Sequence, residues 1–291
     1  FSSGVLHDTS LLDPRVVQAL QLESHGLHWE GPTERVLLRA GKEPHALSKN
    51  EGLNGWFNAL KPVVKSMYSD ASPDLTTKIK PASLLGPGLA ALKAGRSNLL
   101  EWTRLMPQCA EDTLEEWVPG PEDRALWVLP SLFGTYMAPL SPSSTVSLGL
   151  YWSQVGQQTV DGAAGITKAL LRACEKAGVT LKTNAHVSGI TVENNRATGV
   201  IVGQETHLAD LLISTIGVAK TGLSLLPPAT LPMSTERRLG QIRSRGNLAK
   251  VHFAIKGPCP WTENAANTAI QYQIGGDPMY LERAFDTAKA G

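Results

Sequence analysis

Cysteine is scarce in this chain and neither sign of charge dominates it, and each shortage removes a class of protein. The 3 cysteines, Cys109, Cys174 and Cys259, stand at unrelated spacings. They make neither a disulfide framework nor a C-x-x-C metal or redox pair, which favours a reducing intracellular compartment, cytoplasm or organelle matrix. Lys plus Arg number 27 against 26 Asp plus Glu, a net charge of +1. Such a balance argues against nucleic acid as the principal partner, because phosphate binding needs a basic face. No apolar run approaches the ~20 residues of a membrane-spanning helix. The nearest, Leu208 to Val218, is far shorter and is broken by Asp210. No G-x-S-x-G occurs, so a hydrolase nucleophile elbow is not expected.

What is there suffices for one large core or two smaller ones, with 291 residues of which 42% are hydrophobic. Apolar residues recur at helical spacing around 50–68 (Trp56, Leu60, Val63, Val64, Met67), which predicts an amphipathic helix. Further helices are predicted over 14–22, over two segments of 88–118 parted near Pro107, and over 123–133 and 280–290. Leu89, Leu92, Leu99, Leu100, Trp102 and Leu105 supply the apolar face of the 88–118 pair. A loop follows at Ala138-Pro-Leu-Ser-Pro-Ser-Ser144. The first half is thus mostly helical, its tryptophans in the core.

The second half changes character. Asp161 is placed to cap a helix whose apolar face is Ile166, Leu170, Ala173, Cys174 and Ala177, and Gly178 stands where a left-handed C-cap residue is wanted. Cys174 on that face reads as a buried, inert thiol. Val179–Lys182 is β-prone, His186–Val192 and Ala197–Val202 form a hairpin across Asn194-Asn195, and Leu211–Thr215 reads as a strand buried on both faces. Leu248–Ile255 alternates as a further strand.

Two patterns carry less than they promise. Gly86-Pro-Gly-Leu-Ala-Ala91 mimics a phosphate loop, but Pro87 removes an amide and a plain helix start explains it. His25 and His28 lack further ligands nearby and flank Gly26, so a surface turn is the better reading than a metal site, and no metal is expected.

Asp161-Gly-Ala-Ala-Gly165-Ile-Thr-Lys-Ala-Leu170, Gly178 to Val187, Arg196-Ala-Thr-Gly-Val200, the Ala138–Pro142 stretch and Arg243 to Phe253 together resemble the middle of phytoene-desaturase-like flavoproteins. These belong to the FAD-dependent amine oxidase superfamily, and the similarity is closest to the subgroup described as pyridine-nucleotide-disulfide oxidoreductase domain proteins. The resemblance implies an α/β (α+β) chain in which part of a Rossmann-type FAD-binding domain, residues 159–218, is interleaved with a partly helical substrate domain, residues 1–158 and 219–291. It implies FAD as cofactor, hydride transfer from an apolar small-molecule substrate, a backbone contact from Val187 to the adenine end, Ser214 and Thr215 on the ribose side, and Lys250 as the catalytic lysine. In the amine oxidase branch that lysine holds a water against the flavin N5. The family opens on G-x-G-x-x-G, which nothing here supplies, so the chain reads as an internal piece that is not expected to turn over by itself. Two alternatives stay open: a scaffold of the same fold that has lost its cofactor, and a carrier of apolar molecules.

Overall fold

The structure, a computed structural model, describes residues 8–38, 43–69, 85–243, 249, 251, 253, 256 and 270–290. The chain divides into two compact units, Phe1–Lys176 with Gly246–Gly291, and Ala177–Arg245. The mixture of helices with two small sheets is the α/β class expected.

In the first unit the order is α1 (Pro14–Ala19), β1 (Glu34–Leu38), β2 (His45–Ala46), α2 (Glu51–Ser69), α3 (Leu85–Ala94), α4 (Arg96–Leu105), α5 (Ala110–Trp117), α6 (Pro121–Leu132), α7 (Ser144–Trp152) and α8 (Gly162–Lys176). The helical periodicity of α2 is realised: Leu53, Trp56, Phe57, Leu60 and Val64 are all buried, as one helical stripe must be. Against that stripe pack Trp102 and Leu105 of α4, Leu114 of α5, Trp127, Val128 and Leu132 of α6, and Leu148 of α7. Aromatic rings fill the centre, with Trp127 and Trp152 4.3 Å apart between ring centroids and Phe57 6.0 Å from Trp127. A smaller cluster joins Val17, Leu22 and Leu27 to Ile166 and Ala169 of α8.

Sequence periodicity misjudges α3. Its buried positions are Ala90 and Ala94, while Leu89 and Leu92 face solvent. The helix lies against α2, and small side chains permit the closer approach. Residues 85–117 form three helices where two were expected, and α7 falls on a stretch for which the sequence suggested no element.

Sheet pairing joins distant sequence. β1 is central, antiparallel to β2 and parallel to β6 (Ile270–Ile274), with Arg35 opposite Gln271. Beyond β6, α11 (Pro278–Ala290) follows as expected and ties back through Glu282, which accepts from the Leu140 amide at 2.7 Å. The turn at Ala138–Ser144 in turn caps α5. The Ser144 hydroxyl accepts from the Ala110 amide at 2.7 Å, and the Pro139 carbonyl accepts from the Glu111 amide.

The second unit is an antiparallel meander, β3 (Val187–Glu193), β4 (Arg196–Val202) and β5 (Glu205–Leu208). Asn194 and Asn195 take φ of 49° and 61°, the left-handed pair that a two-residue hairpin of right-handed twist requires. There follow α9 (Val218–Lys220), a π-helical turn at Thr221–Leu225 and α10 (Met233–Gly240). Two expected strands are not formed. Val179–Lys182 has no strand assignment and exposes Val179 and Leu181. Leu211–Thr215 likewise pairs with nothing among the described residues, and Leu211 and Ile213 stand 77% and 82% exposed. Its apolar sequence suits a strand, but a strand needs a neighbour to satisfy its amides and carbonyls. Of Leu248–Ile255, the described Ala249, Val251 and Phe253 carry no strand assignment, and the rest lies outside the described residues.

Candidate functional site

Two glycines in the first turn of α8 are dictated by sterics. Gly162 takes φ of 55°, which favours a residue without Cβ, and a Cβ on Gly165 would collide with the Val160 carbonyl. Asp161 does not cap α8 through its side chain as expected. It is itself left-handed at φ 61°, its carbonyl accepts the Ala164 amide, and its exposed carboxylate accepts from Lys168 Nζ at 2.8 Å. That lysine holds the Asp161 carboxyl below its usual range. At the other end Gly178 is left-handed at φ 70°, as the sequence requires. Cys174 is half-buried rather than fully enclosed.

Val187 opens β3, half-buried and paired with Val202. The register slips between Val187 and Gly189, and β3 is an edge strand of its sheet among the described residues. Ser214 and Thr215 are exposed. The π-helical turn joins these two places: Ser214 Oγ lies 2.7 Å from Thr221 Oγ1 at its start, and Gly189 of β3 lies beside the Leu225 carbonyl at its end. Nothing in the sequence reading pointed to that turn. Lys250 lies outside the described residues. A cavity of about 460 Å³ in this unit sits at the hairpin tip, between Asn194–Asn195 and residues 227–230, and not at Val187.

Two features of these residues bear on a dinucleotide ligand. The outer edge of β3 pairs with no further strand among the described residues, and Val187 opens it. Hydroxyls at Ser214 and Thr215 stand at the surface of the same unit, where a ribose can be met. The pyrophosphate, by contrast, has no G-x-G-x-x-G cradle in the 291 residues.

A polar cluster in the first unit was not legible beforehand. Tyr151 donates to Asp8 Oδ2 at 2.5 Å and accepts from Arg35 Nη2 at 2.5 Å, and the Arg35 guanidinium lies 4.8 Å from the Trp152 ring. Gln158 donates to Asp8 Oδ1 at 2.7 Å and accepts from both the amide and the hydroxyl of Thr9. Burial would raise the Asp8 carboxyl, but hydrogen bonds from Ser10, Tyr151 and Gln158 outweigh it and set it below its usual value. The Tyr151 phenol is pushed well up, chiefly by burial. The cluster holds its charges fixed and fastens four separate stretches of chain.

Elsewhere, His28 and His25 serve through their carbonyls, accepting from the Val160 amide and from Arg172. Helix α3 begins at Leu85, the plain helix start expected for the Gly86–Ala91 stretch. Cys109 accepts from the Asp112 amide at the start of α5, its thiol raised by burial to about 11. No group of three or more potential metal ligands occurs among the described residues, and no helix among them is long and apolar enough to cross a membrane.

Comparison with known proteins places the sequence in a family. The 1-hydroxycarotenoid 3,4-desaturase of Flavobacterium sp. (strain P99-3) is 30% identical over 119 residues, 41% of this chain and 22% of the desaturase. Among solved structures, an oxidoreductase from Methanosarcina mazei aligns with 77% of this chain and 49% of its own, at 17% identity and a TM-score of 0.42. A putrescine oxidase redesigned in its cofactor binding aligns with 79% and 50%, at 15% identity and a TM-score of 0.42. The chain therefore spans about half the length of those solved chains. A sequence model described as flavin containing amine oxidoreductase matches residues 44–288, and the chain belongs to that family.

Proposed function

We propose that the complete protein is an FAD-dependent oxidoreductase of the desaturase and amine oxidase type, and that this chain contributes the adenosine-side contacts and much of the substrate domain. The observation that carries the reading is the family match across 44–288. The edge position of β3, which Val187 opens, and the exposure of Ser214 and Thr215 support it. In this reading the flavin supplies the hydride acceptor, and the protein binds, orients and excludes water. The backbone at Val187 meets the adenine, Ser214 and Thr215 meet the ribose, and Lys250 holds a water at the reacting face. Residues 159–218 act as the flavin-side portion, and 1–158 with 219–291 as the substrate side.

An apolar substrate is suggested by the desaturase relative, which is named for a hydroxycarotenoid. The test is to purify the complete protein, record its visible spectrum, and mix it anaerobically with polyene and amine candidates. Retained flavin bleached by a polyene is the expected result. A protein that holds no flavin after FAD is added is instead the scaffold alternative, and retained flavin untouched by any candidate would remove the proposed substrate class.

A further inference from the structure

A second binding surface lies in the first unit and shares no residue with those proposed for flavin. A cavity of about 570 Å³ is lined by Pro14, Val17, Gln18, Gln21, Glu23, Ser24 and Trp29. Trp29 is fixed from both sides: it bridges to Thr159 in an antiparallel pair, and its indole N–H donates to Glu23 Oε1 at 2.8 Å. That bond engages one carboxylate oxygen. Among the ion pairs of the described residues Glu23 takes part in none.

The backbone supplies an independent sign. Helix α1 ends in a Schellman arrangement: the Gln21 amide donates to the Gln18 carbonyl, the Leu22 amide to the Val17 carbonyl, and Leu22 and Val17 are buried together. The residue at the left-handed position of this motif is ordinarily glycine. Here it is Gln21, at φ 50°, with its side chain in the cavity wall. The strained backbone here carries an amide that glycine would lack, and such outliers gather where ligands bind.

We propose that this cavity binds a small organic cation, its charged head resting on the Trp29 ring beside the Glu23 carboxylate, with Gln18, Gln21 and Ser24 meeting its polar end. An aromatic wall beside a carboxylate that forms no ion pair among the described residues attracts an ammonium by the ring quadrupole and by charge together, where a neutral ligand of the same shape gains neither.

The probe is choline, set against its neutral isostere in which carbon replaces the quaternary nitrogen. The readout is the Trp29 indole N–H resonance of the complete protein, assigned by its loss in Trp29→Phe. Choline is expected to shift that resonance saturably and the isostere to leave it in place. Glu23→Gln, a surface change that leaves the fold intact by its melting curve, is expected to weaken choline roughly tenfold. Gln21→Gly is expected to raise the melting temperature by roughly 2 °C while weakening choline. An equal response to the isostere, an unchanged affinity in Glu23→Gln, or no saturable response at all overturns the proposal. Flavin content is read on the same samples, so failure here is distinct from failure of the oxidoreductase reading.

Discussion

Gly149 of α7 abuts the edge of the Trp102 ring in α4: a Cβ at Gly149 would come within 2.5 Å of Cζ3 and 2.8 Å of Cη2. The ring has nowhere to go, since Trp102 is buried and packs 5.7 Å from Trp56 between centroids. Gly149→Ala is therefore expected to cost about 1–3 kcal/mol, the range for overpacking a filled core. Urea unfolding measures it, and a variant of parental stability would show that α7 can slide.

The Asp8 carboxyl titrates below its unfolded value because Ser10, Tyr151 and Gln158 hydrogen-bond its charged form. Its contribution is thus complete above the unfolded carboxylate range, about 4, and is lost as pH falls through the lower folded value. Asp8→Asn is expected to flatten that acid limb. If unfolding midpoints of the parent and Asp8→Asn fall in parallel below pH ~4, the linkage is wrong.

Tyr151→Phe removes the hydroxyl that stands between Arg35 and Asp8, which are themselves 4.0 Å apart. The expected loss is about 1–3 kcal/mol at neutral pH, the cost of stranding buried polar partners. Calorimetry of the variant beside Asp8→Asn and the double variant checks it. The two losses should not add, because both changes break one network.

Asn195 holds φ of 61° at the hairpin tip. Asn195→Gly is expected to be neutral or slightly stabilising, and Asn195→Val to cost on the order of 1–2 kcal/mol, because a branched side chain resists the left-handed region. Thermal melts of both variants decide. Equal stability of the two would mean that the turn relaxes.

Under the proposed function, Lys250→Met is expected to slow flavin reduction by substrate on the order of 100-fold while leaving flavin content unchanged. Rapid mixing under anaerobic conditions measures the rate. Parental rates would remove Lys250 from the reacting face.

Helices α2, α6, α8 and α11, the hairpin at Asn194-Asn195 and the Gly178 cap could be read from the chain directly. Each rests on residues within one or two turns of each other, and side-chain period and backbone preference act at that range. The motifs around Asp161, Val187 and Ala197 carried the family in the same way. Tertiary structure decided the rest. The parallel pairing of β1 with β6 joins Glu34 to Ile270, and the Asp8–Tyr151–Arg35 cluster assembles from three remote places, so no local pattern announces either. Ala90 faces inward and Leu92 outward on α3, which lies against α2, an orientation that a neighbour sets and the segment's own sequence does not. Leu211–Thr215 has a strand's composition and no strand's pairing, since hydrogen-bond partners come from elsewhere in a fold and never from the segment that needs them.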